Sequence, residues 1–217
     1  MNNETKLLKV SRPVVKVLTI VSLIATLAAV VLLICFLFAG VFTIYTDVGT
    51  KYENGFTYPG FQAIFGGYGN MIIQGYSETT FNIWTFLGLF LPLIGGIVGI
   101  VMLLKNFNRR GTNRKKAIVE LVVAALLIFG GIILFNVDKF WIENAKNVTG
   151  SYTNYYEVYL LPAINGEILF DTEYYPTYVL VACLVAAVIK IFNGACLIFQ
   201  KAYAKKLKNQ AAVAVKE

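Results

Sequence analysis

A short basic stretch between two long apolar runs constrains the fold of this chain more than any other feature. It covers Lys105–Lys116 and carries six positive charges and no negative one. The runs on either side, Phe81–Leu104 and Ala117–Phe135, are each long enough to cross a bilayer. Because short basic loops between spans stay on the cytoplasmic side, the stretch predicts a transmembrane hairpin whose turn lies inside the cell.

Composition and charge distribution also favour a membrane protein. The chain is 58% hydrophobic and 14% charged, with a mean hydropathy of +0.67, whereas soluble domains are about 25% charged. Of the 19 Lys and Arg residues, 15 lie in 1–16, 105–116 and 201–217, while 46–81 and 136–176 hold nine acids against three lysines. A nucleic-acid partner would not divide charge in this way, so we expect none. We interpret the basic excess as topology plus attraction to anionic lipid of the inner leaflet.

The sequence predicts an all-α membrane protein, a four-helix transmembrane bundle with a small extracellular β-element formed by the two outer loops. Residues 1–217 are expected to form a single domain in the plasma membrane, with both termini cytoplasmic, because this topology fits every local charge count. The predicted spans are 14–42, 81–104, 117–135 and 177–199, the outer loops are 46–80 and 136–176, and the cytoplasmic segments are 1–13, 105–116 and 200–217.

The first span is predicted to begin a helix and to continue into a strand. Pro13 suits the first turn of a helix, where its missing N–H has no intrahelical role. At 1.5 Å per residue the run to Phe42 is roughly 40 Å long, which exceeds a hydrocarbon core of about 30 Å. Val41–Thr46 is rich in β-branched residues, so the helix is expected to give way to a strand there.

The two outer loops are predicted to form one small sheet that caps the bundle. Asn54-Gly55 predicts a two-residue hairpin turn after the first strand. Since an isolated hairpin is marginal in water, a third strand is expected from the second loop. Either Tyr155–Leu161 or Glu167–Phe170 can supply it. The glycine-broken segments 61–69 and 71–76 are expected to be short strands or interfacial pieces.

Small residues in the second and third spans predict how those two helices pack. Gly95 and Gly99 lie four residues apart, and Gly130 and Gly131 offer matching small positions in the third span. In lipid, small residues let helix backbones approach closely. We expect a hairpin packed glycine to glycine within the bundle, which we favour over a dimerisation face.

Two ionisable residues fall inside predicted spans. Glu120 and Lys190 both lie in the cytoplasmic half of the bilayer, so they are candidates for an intramembrane ion pair that Asn193 can share. Two alternatives stay open. Lys190 can instead extend its amine to the interface, and Glu120 can serve as a first-turn residue facing the helix dipole.

The residues needed for catalysis or metal binding are missing from the sequence. There is no histidine, and Cys35, Cys183 and Cys196 all lie in apolar runs. That excludes an extracellular disulfide framework and a Cys/His zinc site. The acids of the outer loops are scattered rather than paired. We therefore predict no catalytic residues, no cofactor, no metal and no enzymatic activity.

Aromatic outer loops point to a binding role. Most of the thirteen tyrosines lie there, and tyrosine is enriched at binding surfaces. We predict a non-enzymatic structural or partner-binding component that contacts a second copy or another membrane or surface protein.

The alternative function is a small-solute transporter or channel subunit with Lys190 and Glu120 in its path. The tyrosines can also form the hydrophobic side of the β-element. The candidate partner surface consists of Tyr52, Tyr58, Tyr68, Tyr155, Tyr156 and Tyr159.

The order of these segments resembles the claudin-like tetraspan topology over the whole chain. The claudin signature of Trp and Cys residues in the first outer loop is missing, because 46–80 contains neither residue type. The chain is also similar to uncharacterised four-span integral membrane proteins of low-GC bacteria. The similarity lies in Gly60–Gly66, in Asn82-Ile83-Trp84 and in a composition rich in Lys, Asn and Ile. This resemblance implies a four-span architecture and carries no functional residue to this chain.

Overall fold

The protein is described by a computed structural model that covers residues 3–45, 55–66, 81–107, 113–146 and 170–214. These residues form six helices and three strands. In chain order the elements are α1 (Asn3–Phe36), β1 (Gly40–Tyr45), β2 (Gly55–Pro59), α2 (Gly60–Phe65), α3 (Ile83–Asn106), α4 (Asn113–Phe135), α5 (Val137–Lys146), β3 (Phe170–Thr172) and α6 (Tyr174–Ala214).

Four of the helices, α1, α3, α4 and α6, are long and apolar enough to cross a membrane. The segment of α1 that meets this criterion has 24 residues, about 36 Å at 1.5 Å per residue. Each segment falls on one of the predicted spans, so the prediction of four membrane-length helices is confirmed. The four segments are Pro13–Phe36, Ile83–Asn106, Asn113–Phe135 and Tyr174–Lys206.

Both ends of α1 differ from the prediction. The helix begins at Asn3, so Pro13 lies inside it rather than in its first turn. It ends at Phe36 rather than near Phe42, because the chain turns and the Ala39 N–H donates to the Cys35 carbonyl at 3.0 Å. The next residues pair as a strand, and the predicted change from helix to strand is therefore confirmed with β1 starting at Gly40.

The chain divides into two compact units. The first unit consists of Met1–Val30, Ile94–Ile128 and Ala182–Glu217, and the second of Val31–Leu93 and Phe129–Val181. The long helices contribute residues to each unit, whereas the three strands, α2 and α5 belong entirely to the second.

The second unit contains a three-stranded antiparallel sheet in the order β2-β1-β3. Phe42 of β1 pairs with Tyr58 of β2 on one side and with Thr172 of β3 on the other. Strands from both predicted outer loops thus join one sheet, as expected. The third strand, Phe170–Thr172, shares only Phe170 with the Glu167–Phe170 alternative. The other residues of that alternative, like Tyr155–Leu161, lie outside the described residues.

The prediction of a two-residue turn at Asn54-Gly55 is wrong. Tyr45, the last residue of β1, pairs with Gly55, the first residue of β2. The connection between the strands is therefore the longer segment 46–54, and Gly55 belongs to a strand. A turn signal in sequence does not fix the register, because the register also depends on which side chains the sheet buries.

Two helices replace structure that was expected to be extended or irregular. Residues 60–65 form α2, so of the two alternatives for 61–69 the short strand is wrong there and the interfacial piece stays a prediction. The segment 71–76 lies outside the described residues. α5 follows α4 after a break at Asn136, whose side-chain amide donates to the Ile132 carbonyl at 2.9 Å. The buried residues Val137 and Trp141 are one helical turn apart, which places both on one face of α5.

Three aromatic rings form the core beneath the sheet. The rings of Phe42 and Tyr58 stack with their centroids 4.9 Å apart, and the Trp141 ring lies 5.1 Å from Phe42 and 5.5 Å from Tyr58. Each of these side chains is buried. This burial joins β1, β2 and α5, and aromatic pairs at such distances add to the free energy gained from area burial alone.

In the helical hairpin of α3 and α4, Gly95 and Gly99 pack against large side chains of α4 and not against its glycines. A methyl group placed on Gly95 would lie 2.5 Å from a Leu126 methyl, and one on Gly99 would lie 2.8 Å from a Val123 methyl. The predicted pairing of the two helices is correct. The contact differs because a missing side chain leaves a hole that a large apolar side chain of the other helix fills.

The closest backbone approach of this hairpin occurs at Gly130. A methyl group there would lie 2.5 Å from the Gly88 carbonyl oxygen and would overlap the ring of Pro92. Gly88 in turn receives Ile133 of α4. Gly131 is buried as well. Pro92, which lies inside the continuous helix α3, is thus packed against a glycine of α4, in keeping with the rule that neighbouring helices cover prolines in membrane helices.

We expect Gly130→Ala to lower the free energy of unfolding by about 1–3 kcal/mol, because the added methyl overpacks the contact with Pro92. The matched control is Gly194→Ala, since the nearest atom to its added methyl is a flexible Leu121 side chain at 3.3 Å. Thermal unfolding in detergent, followed by circular dichroism, measures both. Equal unfolding temperatures for the two variants would contradict the close approach.

Candidate functional site

Five polar side chains from three helices meet in the first unit and form the polar cluster. α1 supplies Thr19 and Ser22, α4 supplies Glu120, and α6 supplies Lys190 and Asn193. Thr19 and Ser22 are three residues apart, as are Lys190 and Asn193, so each pair lies on one helix face. All five side chains are buried.

An ion pair forms the centre of the polar cluster. The Lys190 Nζ lies 2.7 Å from Glu120 Oε2, and both side chains are 0% exposed. The predicted intramembrane pair is therefore present. Lys190 does not extend its amine to an interface, and Glu120 faces a cation rather than only the helix terminus. The two charges compensate each other, which matters because an unpaired buried charge is very unfavourable in a medium of low dielectric constant.

Two further side chains complete the hydrogen bonding of the Glu120 carboxylate. The Asn193 amide donates to Oε1 at 2.6 Å, and the Ser22 hydroxyl lies 2.9 Å from both carboxylate oxygens. The Lys190 Nζ also lies 3.4 Å from the Ser22 Oγ. Both oxygens of the carboxylate thus accept hydrogen bonds, which is the condition under which a buried ion pair is tolerated.

The remaining hydroxyls on this face of α1 bond to their own helix. Thr19 donates to the Val15 carbonyl at 2.8 Å, and Thr26 donates to the Ser22 carbonyl at 2.6 Å. The Thr19 hydroxyl also lies 3.4 Å from the Asn193 Oδ1. Such bonds to the preceding turn let polar residues occupy an apolar helix without leaving a hydrogen-bonding group unsatisfied.

The arrangement holds helices together and offers little to a substrate. A serine beside a lysine is the kind of pair that can form a nucleophile and base, yet Ser22, Glu120 and Lys190 are each 0% exposed. A reacting group has to come within hydrogen-bond reach of such a pair. Among the described residues, no group of three or more His, Cys, Asp or Glu side chains is placed to hold a metal ion.

The structure changes the predicted partner surface. Tyr58 is 3% exposed and stacks on Phe42, so it belongs to the core under the sheet and not to an exposed face. Tyr58 pairs with Phe42 of β1, so the two side chains lie on the same, buried face of the sheet. The sequence left this role, the hydrophobic side of the β-element, open for the tyrosines as an alternative to partner binding. Tyr52, Tyr68, Tyr155, Tyr156 and Tyr159 lie outside the described residues.

A second set of polar contacts joins the three strands to the start of α6. The Thr43 hydroxyl lies 2.7 Å from the Thr57 hydroxyl and 2.6 Å from Glu173 Oε1. The Thr172 hydroxyl lies 3.4 Å from Asp138 Oδ2 of α5. These bonds tie the sheet to the elements beside it in the second unit.

Sequence reasoning missed Ser22 and Thr19 as members of the polar cluster, and Thr26 one turn further along the same face of α1. The available signal was their spacing of three and four residues, which places three hydroxyl side chains on one face of an otherwise apolar helix. The contacts of Trp141 with Phe42 had no comparable signal, because residues so far apart in sequence are brought together only by the fold.

Comparisons of this chain with protein-family models, with curated proteins and with solved structures found no match.

The polar cluster predicts strong energetic coupling between Glu120 and Lys190. We expect Lys190→Met alone to lower the free energy of unfolding by about 3–5 kcal/mol, because it leaves a buried carboxylate without its cation. Glu120→Leu alone should have a similar effect for the opposite charge.

The double variant Glu120→Leu/Lys190→Met should lose much less stability than the sum of the two single losses, because it leaves no buried charge. Thermal unfolding in detergent provides the double-mutant cycle, and Lys201→Met, at an exposed position of α6, is the control. Strictly additive losses would show that the two side chains do not depend on each other.

Proposed function

We propose that this chain is a multi-pass plasma-membrane protein that acts as a non-enzymatic structural or partner-binding component through its outer loops. α1, α3, α4 and α6 supply the spans, and the segments 46–80 and 136–176 face outward. The membrane location is supported by four helices of sufficient length and apolarity. The rest of the proposal concerns orientation, the partner and the absence of chemistry.

The distribution of exposed charge supports cytoplasmic termini. Lys105 lies in the last turn of α3, Arg114 and Lys115 lie in the first turn of α4, and Lys201 and Lys205 follow the apolar part of α6. All five are exposed. Basic residues at helix ends remain on the cytoplasmic side. They also meet the anionic lipid headgroups of the inner leaflet, each contributing about 1 kcal/mol near the surface.

The observation that carries the functional proposal is that both loops build one ordered sheet. β2 lies in the first loop and β3 in the second, and both pair with β1, which directly precedes the first loop. The rings of Phe42, Tyr58 and Trp141 fill the space beneath. A small sheet with an apolar face and a helix packed on it is stable where a lone hairpin is not. A sheet of this kind supports a binding role for the segments that adjoin it, because binding costs less entropy when it is built on an ordered base.

The polar cluster supports this reading over a transporter or channel. A solute path through Glu120 and Lys190 needs water or a solute beside them, and intramembrane charges with a transport role usually face a water-filled cavity. Here the Glu120 carboxylate is bonded to Lys190, Ser22 and Asn193, and the side chains of Glu120 and Lys190 are 0% exposed. We therefore assign the cluster to helix association. The same closed geometry supports a protein without enzymatic activity.

The partner is proposed to be a second copy of this chain or another membrane or surface protein. With Tyr58 in the core, the proposed contact residues are Tyr52, Tyr68, Tyr155, Tyr156 and Tyr159. We also propose kinship with four-span proteins of claudin-like topology and with those of low-GC bacteria. The order of span, sheet strands, basic turn and second loop supports this kinship.

Cysteine labelling tests the orientation. In a variant without native cysteines, we expect Ser77→Cys and Ser151→Cys to react with a membrane-impermeant maleimide on intact cells. Thr112→Cys should react only after the membrane is opened, because the basic turn is held inside. Labelling of Thr112→Cys from outside would overturn the topology.

Photo-crosslinking tests the binding role. A benzophenone amino acid at Tyr68 or Tyr156 should give protein adducts in whole cells, because these positions lie in the proposed partner surface. Val188, an exposed position on α6, is the lipid-facing control. Two differently tagged copies separate self-association from binding of another protein. Adducts at the tyrosines no more abundant than at Val188 would contradict the proposal.

A further inference from the structure

We infer that α2, the short helix of residues 60–65, lies within the bilayer and contacts lipid acyl chains with its phenylalanine rings. It is not one of the four spans, and it belongs to a loop that the sequence places outside the membrane. The inference rests on the proposed membrane location and adds a lipid-binding surface to it. Three independent features of the second unit carry it: depth, exposure and backbone hydrogen bonding.

Ring contacts set the depth of α2 along the α3 helix. The Phe65 ring lies 6.2 Å from Phe86 and 6.5 Å from Phe90. Phe90 is about two turns into α3, roughly 10 Å from the helix start at 1.5 Å per residue. The C-terminal end of α2 therefore lies beside the interior of a membrane-length helix and not above its end.

The exposed surface at this level is aromatic and uncharged. Phe61 is 42% exposed, Phe65 49% and Phe81 46%, and these three side chains are the aromatic patch. Trp84 of α3 is 52% exposed and its ring lies against that of Phe140. Phe61 and Phe65 are four residues apart and so share one face of α2. Neither Gly55–Gly66 nor Phe81–Leu104 contains a charged residue. A surface of this composition favours lipid over water, and tryptophan is typical of the interfacial level.

The backbone of α2 is hydrogen-bonded at both ends, as lipid contact requires. At its start, the Gly60 N–H donates to the Ala39 carbonyl at 3.1 Å and the Phe61 N–H donates to the Leu37 carbonyl at 2.9 Å. At its end, the Ile64 carbonyl accepts from the Asn82 N–H at 2.7 Å. Short non-spanning segments are tolerated at membrane depth only where neighbouring protein satisfies their backbone groups.

The occupant of the aromatic patch is lipid rather than a protein partner, for two reasons. Ile83 and Leu91 of α3, the helix against which Phe65 packs, are exposed apolar side chains as well. The residues of the patch also offer no charge with which to select a protein partner. An interfacial helix of this kind is expected to insert about 5–10 Å into the boundary between headgroups and acyl chains, which matches the depth given by Phe65.

Tryptophan quenching in liposomes tests the inference, since the chain has only two tryptophans. The full-length protein is reconstituted with phosphatidylcholines brominated near the carbonyl end, at mid-chain or near the terminal methyl. In the variant Trp141→Phe, Trp84 is the only fluorophore. In a background of Trp84→Phe/Trp141→Phe, the substitutions Phe61→Trp and Phe65→Trp report on α2 itself.

We expect emission from Phe61→Trp and Phe65→Trp to be lost with lipid brominated near the carbonyl end or at mid-chain, and to be protected from aqueous acrylamide. Trp84 should follow the same pattern. In the variant Trp84→Phe, the buried Trp141 is the matched control and should be quenched little by any of the lipids. Acrylamide quenching of the two α2 probes without lipid quenching would overturn the inference.

Val188→Trp in the same tryptophan-free background separates this inference from the membrane proposal, because Val188 is 65% exposed on α6. If this probe is quenched by mid-chain bromine while the α2 probes are not, the protein spans the membrane and α2 lies outside it. If Val188→Trp is not quenched either, the membrane location itself is wrong.

Discussion

The ion pair between Glu120 and Lys190 is the interaction on which the packing of α1, α4 and α6 in the first unit depends. Neither charge is stable alone in an apolar medium, so each one requires the helix that carries the other. Ser22 and Asn193 then fix the carboxylate from two more directions. Hydrophobic residues give no such direction between helices surrounded by lipid, because acyl chains are as apolar as leucine. The polar cluster therefore specifies which helix faces pack together.

Different interactions stabilise the second unit. There the free energy comes from burying aromatic rings, notably Phe42, Tyr58 and Trp141, and from pairing three strands. Close helix contacts supplement these forces, as where Gly130 approaches the Gly88 carbonyl. In this sheet the central strand β1 is hydrogen-bonded on both sides, to β2 and to β3. The first unit thus depends on a buried ion pair, and the second on a buried aromatic core.

The contrast between the two units supports the proposed function. In the polar cluster, the groups most capable of chemistry are bonded to one another, and none of Ser22, Glu120 and Lys190 is exposed. The sheet, in contrast, orders the ends of the segments that carry most of the tyrosines. A rigid base with variable connections is the arrangement on which binding loops are commonly mounted. The proposed function follows from this contrast between a closed core and a supported surface.

The sequence by itself determined the four membrane-length helices, the pairing of α3 with α4, and the presence of two candidate intramembrane charges. Hydropathy and charge are local properties, so they can be read along the chain without knowing the fold. Only the tertiary structure decided that Tyr58 is buried, that α2 and α5 are helices, and that hydroxyls of α1 join Glu120. Each of these depends on side chains distant in sequence, because burial and hydrogen bonding are settled between elements and not within them.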